Sequence, residues 1–361
     1  MSFLRYLCRI RARVGMLSAT LGLLIACLPS SFSQAQTSEL DRPIPILTGS
    51  AGFFTNVEAG HTEIVPEINP VLLVPFGDRW LIEARGQFEG EFARKDGNGS
   101  FGGQVSKELA YLQADYIANP YVTVTVGRFL TPFGIYNERL YPIWIRSLQP
   151  EPLIFGMEES SSNGIMFRGG FPLTSKINLN YASYFSTLSS NEVLDADRSV
   201  GGRVGFFLPG PRVEAGFSWR KLLQEERTNA FGFHFAWQPN LVPLNLRSEY
   251  ARSQLGSGYW IEGAYRLSQL PFWQRATRRT EFVGRAQQFF AGHVDEDEFE
   301  EYELPDGNTK QADFGVNYYL RDGLKATASY GRQFSPDGNF NLWSVGIAYR
   351  FALPLGPGGL Q

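Results

Sequence analysis

Charged side chains of both signs recur at alternate positions along many segments of this 361-residue chain, with apolar residues between them. The arginines at such positions are Arg85, Arg203, Arg212, Arg220, Arg247, Arg266 and Arg285, and the interleaved acids are Glu83, Glu89, Glu214, Glu249, Glu262 and Glu281. A guanidinium group holds a carboxylate or phosphate through two parallel hydrogen bonds, so a row of arginines along an aqueous path could conduct anions. Alternatively, the arginines pair with acids on neighbouring strands and form a rigid polar wall, which the similar numbers of acids and bases favour.

Catalytic and metal-binding chemistry has less support in the sequence. Ser218 and His234 fall on the polar faces of two neighbouring segments, but no third catalytic group and no oxyanion donor can be assigned to them. Both cysteines, Cys8 and Cys27, lie near the N-terminus, and the three histidines are far apart. We therefore predict no enzymatic activity, no cofactor and no metal site.

The apolar residues between the charged ones indicate the secondary structure that positions the charged side chains. Phe231, Phe233 and Phe235 alternate with Gly232 and His234, a period of two that is typical of a β-strand and that a helix would scatter around its circumference. The pattern holds for at least eight residues in sixteen segments: 48–58, 62–74, 79–92, 104–118, 121–129, 163–171, 177–186, 199–208, 212–222, 229–238, 243–252, 258–267, 279–290, 310–320, 324–333 and 340–351.

Segments of this length, joined alternately by short and long links, predict an all-β fold: one transmembrane antiparallel β-barrel of about 16 strands. A soluble β-sandwich also alternates. Large aromatic residues such as Trp219, Trp237 and Tyr349 lie toward strand ends on the apolar faces, while the opposite faces carry charges that a sandwich core could not bury unpaired. These two features favour the barrel. The link 268–278 is an exception to this alternation, because it is long although its place in the strand order predicts a tight turn.

The N-terminus predicts export. Arginines between Arg5 and Arg13 precede an apolar run, Val14 to Leu28, and then a stretch of small residues, which is the pattern of a signal peptide. We place the signal peptide at residues 1–35, with cleavage after Ala35. Alternatively, Cys27 becomes the lipidated first residue of a lipoprotein. The chain from residue 36 onward has a net charge of −7, which argues against nucleic-acid binding.

The longest interval without alternation, residues 131–162, follows the fifth predicted strand. It contains Phe133, Ile135 and Trp144 and is too apolar to stay solvated, so we predict that this third extracellular loop folds into the barrel and constricts it. Among its charged residues, Glu138, Arg139, Arg146 and Glu151 are the candidates for an electric field across the pore.

The run from Gly127 to Glu138 carries a resemblance to a known group of proteins. Its residues Gly127, Arg128, Phe129, Pro132, Phe133 and Gly134 resemble the motif after the fifth strand in Gram-negative outer-membrane porins of the phosphate-selective porin O/P group and its dicarboxylate-porin-like relatives. The resemblance implies a sixteen-stranded, trimeric barrel whose third loop folds inward. Two features depart from that pattern: a tail, 352–361, follows the terminal aromatic residue Phe351, and the mature chain has only six lysines, so phosphate specificity is not implied.

Together these features predict an outer-membrane porin, a water-filled channel for passive diffusion of small hydrophilic solutes or ions, with a preference for anions. The expected location is the Gram-negative outer membrane. The expected partners are outer-membrane lipid, lipopolysaccharide, small solutes or anions, and further copies of the chain in a homotrimer, with no nucleic acid among them. The alternatives are an outer-membrane barrel hydrolase and a non-conducting structural or adhesion barrel.

Overall fold

The computed structural model describes residues 44–356 except 59, 95–98, 100, 158–159, 192, 225–226, 294–298, 300–301 and 337. These residues belong to one compact unit, Pro43–Gln361. The predicted signal peptide with its cleavage site after Ala35, the alternative lipidation of Cys27, and residues 357–361 of the predicted tail lie outside the described residues. In the described part of the chain, no helix has the length and hydropathy needed to cross a membrane.

Sixteen β-strands build the fold. They are β1 (Ile46–Glu58), β2 (His61–Phe76), β3 (Trp80–Arg94), β4 (Phe101–Asn119), β5 (Val122–Leu130), β6 (Ser161–Thr174), β7 (Ile177–Ser186), β8 (Ser199–Leu208), β9 (Val213–Leu222), β10 (Asn229–Trp237), β11 (Leu244–Ser253), β12 (Gly256–Arg266), β13 (Thr280–Ala291), β14 (Thr309–Arg321), β15 (Leu324–Ser335) and β16 (Gly338–Pro354). Each strand pairs antiparallel with its sequence neighbours, and β1 also pairs with β16, which closes the sheet into a barrel.

The prediction of an all-β antiparallel barrel of sixteen strands is confirmed, and no predicted strand end differs from the observed one by more than three residues. Two predicted boundaries need correction. The link after β5 ends at residue 160 rather than 162, because Ser161 and Ser162 pair with Leu130 and Phe129. The last strand continues beyond Phe351 to Pro354, where its final residues pair with the start of β1.

The two faces of each strand differ in burial as the alternation predicts. On β10, Phe233 is 54% exposed whereas His234, the next residue, is 4% exposed. A closed barrel has one inner and one outer face, so the buried polar positions face inward and the exposed apolar positions face outward. Large exposed side chains such as Phe314, Trp343 and Ile347 continue this apolar outer face on β14 and β16.

The two rims of the barrel carry different links. One rim carries the links 131–160, 187–198 and 292–308, and we call it the loop rim. At the opposite rim, the turn rim, most links have two to six residues. The link 267–279 at the turn rim is long, as the sequence indicates. It contains a single 3₁₀ turn, Leu267–Gln269, and a single α-helical turn, Gln274–Thr277.

Candidate functional site

The link 131–160, which we call the inner segment, begins with a turn whose backbone binds two other strands. The N–H of Gly134 donates to Ser218 Oγ on β9 at 3.0 Å, and the N–H groups of Ile135 and Tyr136 donate to Glu249 Oε2 on β11 at 3.1 and 3.2 Å. Gly134 has φ of +59°, and a Cβ at this position would lie 1.7 Å from Glu249 Oε1. Only glycine provides both this left-handed conformation and this close approach.

The first half of the inner segment also packs into an apolar cluster with the barrel wall. Phe133, Ile135 and Tyr136 are buried there, and the rings of Tyr136 and Trp260 on β12 make a T-shaped contact with 6.1 Å between their centroids. The other buried members of the cluster are Leu140, Ile154, Met157, Ala230, Ala251, Leu255, Phe289, Phe299 and Leu304. The contacts explain why an irregular segment can carry so many apolar residues: strands β10 to β13 remove them from water.

Cationic and amide side chains of the later strands bind the backbone of the second half. Lys325 on β15 is 2% exposed, and its Nζ donates to the carbonyl oxygens of Ile143, Trp144 and Arg146 at 3.2, 3.1 and 2.7 Å. Asn317 Nδ2 donates to the Ser147 carbonyl oxygen at 2.9 Å. These bonds satisfy carbonyl groups that have no secondary structure of their own, which a buried irregular backbone requires.

Most of the predicted arginines pair with carboxylates. The pairs are Arg139 with Glu214 at 2.9 Å, Arg146 with Glu151 at 3.3 Å, Arg247 with Glu262 at 2.7 Å, Arg266 with Glu281 at 3.7 Å, Arg285 with Asp313 at 3.4 Å, and Arg203 with Glu138. Three of these pairs join adjacent strands, as the polar-wall interpretation of the sequence expects. Two others, made by Arg139 and Arg203, join the inner segment to β9 and β8, which sequence spacing gives no means to predict.

Arg85 on β3 is arranged differently. It is 3% exposed, and its Nε and Nη2 atoms have no hydrogen-bond partner among the described residues. Its Cζ atom lies 5.1 Å from the ring centroid of Tyr141 in the inner segment, and Arg146 Cζ lies 4.9 Å from the same centroid. The hydroxyl of Tyr141 accepts a 2.7 Å bond from Gln87 Nε2 on β3. Tyr141 thus connects the inner segment to the wall where Arg85 lies.

Two cavities lie beside this contact. The larger has a volume of about 1190 Å³ and extends toward the loop rim, and the smaller has about 320 Å³. Arg85 and Leu130 line both. The larger cavity is lined by seven glutamates and three Lys or Arg side chains: Glu58, Glu63, Glu89, Glu91, Glu108, Glu151, Glu303, Arg85, Lys107 and Arg146. The charged residues of the smaller one are Glu83, Glu138, Arg85, Arg168 and Arg350.

Of the ten predicted pore-lining residues, Arg85, Glu138, Arg146 and Glu151 line these two cavities. The other six, Arg139, Arg203, Arg220, Arg247, Arg266 and Arg285, line neither of the two. Sequence reasoning missed Tyr141, Gln87 and Lys325. Lys325 and Gln87 carried a signal, because both are polar residues on the inward faces of predicted strands.

The surroundings of the inner segment shift the pKa values of two of its charged groups, Glu151 and Arg139. Burial raises the pKa of Glu151 above its ordinary value, although the nearby Arg146 guanidinium acts in the opposite direction. Burial works against the charged form of Arg139, but the hydrogen bond and charge of Glu214 outweigh it, so the pKa of Arg139 is raised. The charge of Glu151 therefore responds to pH above the usual carboxylate range.

The motif from Gly127 to Gly134 begins within β5, and its residues have structural partners. Phe129 packs against Met166 and Tyr184, and Arg128 Nε donates to the Leu109 carbonyl oxygen at 2.7 Å. Pro132 is buried at the start of the inner segment. Gly127 has φ of +120°, and a Cβ there would lie 2.4 Å from the Leu112 carbonyl oxygen.

Ser218 and His234, the residues of the hydrolase alternative, occupy inward positions on the neighbouring strands β9 and β10, two residues apart along the ladder. Ser218 is opposite Gly232, and His234 is opposite Gly216. The Ser218 hydroxyl accepts the Gly134 N–H bond, while His234 Nε2 lies 3.5 Å from Glu214 Oε1. Ser218 therefore binds the backbone of the inner segment, and His234 lies beside Glu214, which pairs with Arg139 of that segment.

Comparison with known proteins gives the fold. No protein-family model matches the chain, and no curated protein sequence matches it. Among solved structures, the chain is similar to Salmonella typhi OmpF in complex with daunomycin, with a TM-score of 0.57, 12% identity and coverage of 85% of this chain and 97% of that one. It is similar to Pseudomonas putida OprB in its low-pH structure, with a TM-score of 0.55, 8% identity and coverage of 90% and 100%. A third similar structure is an anion-selective porin from Comamonas acidovorans, with a TM-score of 0.52, 13% identity and coverage of 85% and 99%.

Proposed function

We propose that this chain is an outer-membrane porin, a water-filled channel through which small hydrophilic solutes and ions diffuse passively. The observation that carries the proposal is a closed barrel with an apolar, aromatic outer face and polar cavities beside Arg85 on its inner side. Such an outer face suits hydrocarbon, and a barrel without free edges satisfies its backbone hydrogen bonds in a bilayer. The similarity to solved porins supports the same fold.

We propose further that the inner segment constricts this channel. Its hydrogen-bond partners Ser218, Glu249 and Lys325 occupy inward positions on β9, β11 and β15. Gln87 on β3 binds it as well, and Ile143 packs against β1, β2 and β16, so the inner segment contacts opposite sides of the barrel. The two cavities are lined mainly by β1 to β4, β16 and the inner segment. The path for solutes then follows the β1 to β4 side, and Arg85 marks the transition between the two cavities.

The charges along this path support a preference for anions that depends on one residue, Arg85. The larger cavity carries more glutamates than lysines and arginines, and taken alone it attracts cations. Where both cavities are lined by Arg85, the Nε and Nη2 atoms of its guanidinium have no hydrogen-bond partner among the described residues. A charge in a narrow, low-dielectric passage acts on ions more strongly than one at a wide mouth, so Arg85 decides the sign of the selectivity.

The family relationship, the oligomeric state and the cellular location belong to the same proposal. The motif from Gly127 to Gly134 supports a relationship to the phosphate-selective porin O/P group and its dicarboxylate-porin-like relatives, with assembly as a homotrimer. Export through the signal peptide at residues 1–35 delivers the chain to the Gram-negative outer membrane, with the loop rim facing outward because long links occur on the extracellular side of such barrels. The transport step requires no catalytic group.

Single-channel recording in planar bilayers tests the proposal. The refolded protein should produce discrete, ohmic conductance steps, and a salt gradient should give a reversal potential on the anion-selective side. A folded barrel that inserts without conductance would support the structural or adhesion alternative and contradict the porin proposal. Ester or peptide hydrolysis that disappears in Ser218→Ala would support the hydrolase instead.

A further inference from the structure

Arg85 on β3 carries two hydrogen-bond donors that the barrel does not use. The residues directly opposite it are Val71 on β2 and Tyr111 on β4, and neither side chain offers a carboxylate. The guanidinium lies beside the ring of Tyr141, with 5.1 Å between Cζ and the ring centroid, a contact that holds the group without using its N–H donors. Nε and Nη2 therefore have no hydrogen-bond partner among the described residues, although the side chain is buried.

A buried acceptor without a partner lies next to these donors on the inner wall. Asn69 on β2 is two residues from Val71 on the same face, so Asn69 and Arg85 are diagonal neighbours, about 7–8 Å apart. Asn69 Nδ2 donates to Glu67 Oε1 at 2.7 Å, which fixes the orientation of the amide. Asn69 is 1% exposed, and its Oδ1 has no hydrogen-bond partner in the part of the chain that the structure describes. A ligand that donates a hydrogen bond to this oxygen removes the cost of leaving it unpaired.

Arg85 and Asn69 line one and the same cavity, the smaller of the two, so one ligand can reach both side chains. Its volume of about 320 Å³ lies at the lower end of the range for small-molecule pockets, roughly 300–1,000 Å³. Nε and Nη2 lie on one edge of the planar guanidinium, and a carboxylate accepts two parallel hydrogen bonds from such an edge. The amide oxygen of Asn69 can only accept, so it requires an N–H or O–H group on the same ligand.

The acidic residues around the site favour an ammonium group as that donor. Along β3, Glu83 lines the smaller cavity on one side of Arg85, and Glu89 lines the larger cavity on the other side. The charge of Glu67, which holds the Asn69 amide, also acts on Arg85 from nearby. These negative charges stabilise a cationic group and repel a simple anion. An inorganic anion therefore interacts with Arg85 alone, whereas a solute with both charges is stabilised by both parts of the site.

We infer that Arg85 and Asn69 form a binding site for amino acids, solutes that carry a carboxylate and an ammonium group close together. The Arg85 guanidinium binds the carboxylate through Nε and Nη2, and Asn69 Oδ1 accepts a hydrogen bond from the ammonium group. The inference rests on the proposed function, because it names the class of solute that the channel binds where its two cavities meet.

Uptake of labelled solutes into proteoliposomes that contain the full mature barrel tests the inference. The probes share one carbon skeleton: L-alanine carries both charged groups, lactate has a hydroxyl in place of the ammonium, propionate has the carboxylate alone, and alaninamide has the ammonium alone. The initial rate of L-alanine uptake should saturate, with a half-saturating concentration about tenfold lower than that of lactate or propionate. Alaninamide uptake should increase linearly with concentration, because it lacks the group that Arg85 binds.

Two variants remove the two halves of the site. Arg85→Gln should raise the half-saturating concentration of L-alanine about tenfold to hundredfold, the range for hydrogen bonds to a charged group. Asn69→Ala should abolish the preference for L-alanine over propionate and leave propionate uptake near that of the wild type. The matched controls Arg266→Gln and Asn178→Ala change residues that line neither of the two cavities, and they should keep the wild-type preference.

Conductance, recorded for every variant, separates this inference from the porin proposal. Linear uptake of L-alanine by a wild-type barrel that conducts ions refutes the site and leaves the porin proposal intact, whereas absence of conductance refutes both. Equal half-saturation by L-alanine, lactate and propionate would reduce the site to a carboxylate site and overturn the assignment to amino acids. Unchanged saturation in Arg85→Gln would overturn the role of Arg85. The comparison of the four solutes on the wild-type barrel decides the inference even where a variant does not fold.

Discussion

Replacing Arg85 by glutamine should move the channel away from anion preference more than replacing any paired arginine. Glutamine keeps much of the length and hydrogen-bonding capacity of the side chain while removing its charge. Arg85 lines both cavities, is 3% exposed, and lacks hydrogen-bond partners at Nε and Nη2 within the described part of the chain. An ion that passes this point therefore meets a guanidinium whose Nε and Nη2 atoms bind no other group of the described chain, although the charge of Glu67 acts on it from nearby.

The size of the effect follows from Coulomb's law. An ion about 4 Å from a unit charge interacts by about 1 kcal/mol in bulk water and by about 4 kcal/mol at an effective dielectric constant of about 20. The charge favours an anion and disfavours a cation, so the ratio of the two permeabilities changes by about twice the single-ion energy. With the weaker value, and with screening over a Debye length of about 10 Å in 0.1 M salt, the ratio should change roughly tenfold.

The assay is the reversal potential of single channels in a salt gradient, with Arg247→Gln as the matched control. Arg247 also loses one positive charge, but it pairs with Glu262 at 2.7 Å and lines neither cavity. We expect a large shift toward cations in Arg85→Gln and a small one in Arg247→Gln. A larger shift in the control, or no shift in Arg85→Gln with conductance retained, would refute the assignment of selectivity to Arg85.

Four other predictions concern the outer face, the inner segment, its anchor and its pH response. Phe233→Arg places a charge on the exposed apolar face and should destabilise the barrel by about 2 to 4 kcal/mol near mid-membrane, measured by urea unfolding in lipid vesicles. Deletion of Tyr141 to Gly156 should raise single-channel conductance severalfold if the barrel stays folded; an unchanged conductance would place the inner segment outside the path. Gly134→Ala should increase current noise, because its Cβ would displace the Glu249 carboxylate that binds the segment backbone. As pH falls, Glu151 should take up a proton at a higher pH than an ordinary glutamate, since its pKa is raised by burial, and the loss of negative charge should shift the reversal potential toward anions, a step that Glu151→Gln should lack.

The sequence by itself determined the strands and their two faces. Successive side chains of a strand point to opposite sides. The alternation of Phe233 with His234 therefore indicates that His234 faces the inside of the barrel and Phe233 its outer surface. Sixteen such segments with alternating link lengths leave a closed antiparallel barrel as the natural arrangement. The motif from Gly127 to Gly134 also marks the place in the chain where the regular strand ends and the irregular segment begins.

Only the tertiary structure decided which charges are paired. Arg139 meets Glu214, and Lys325 meets three carbonyl oxygens about 180 residues earlier in the chain. These partners depend on the register of all sixteen strands and on the path of an irregular segment that has no periodicity to read. Arg85 shares its residue type and strand position with the paired arginines, yet it lines both cavities whereas the other six predicted strand arginines line neither. That difference depends on the path of the inner segment, whose ion pairs with other elements join it to β8 and β9, while Tyr141 contacts β3 beside Arg85. Such a path is set by contacts between residues far apart in sequence.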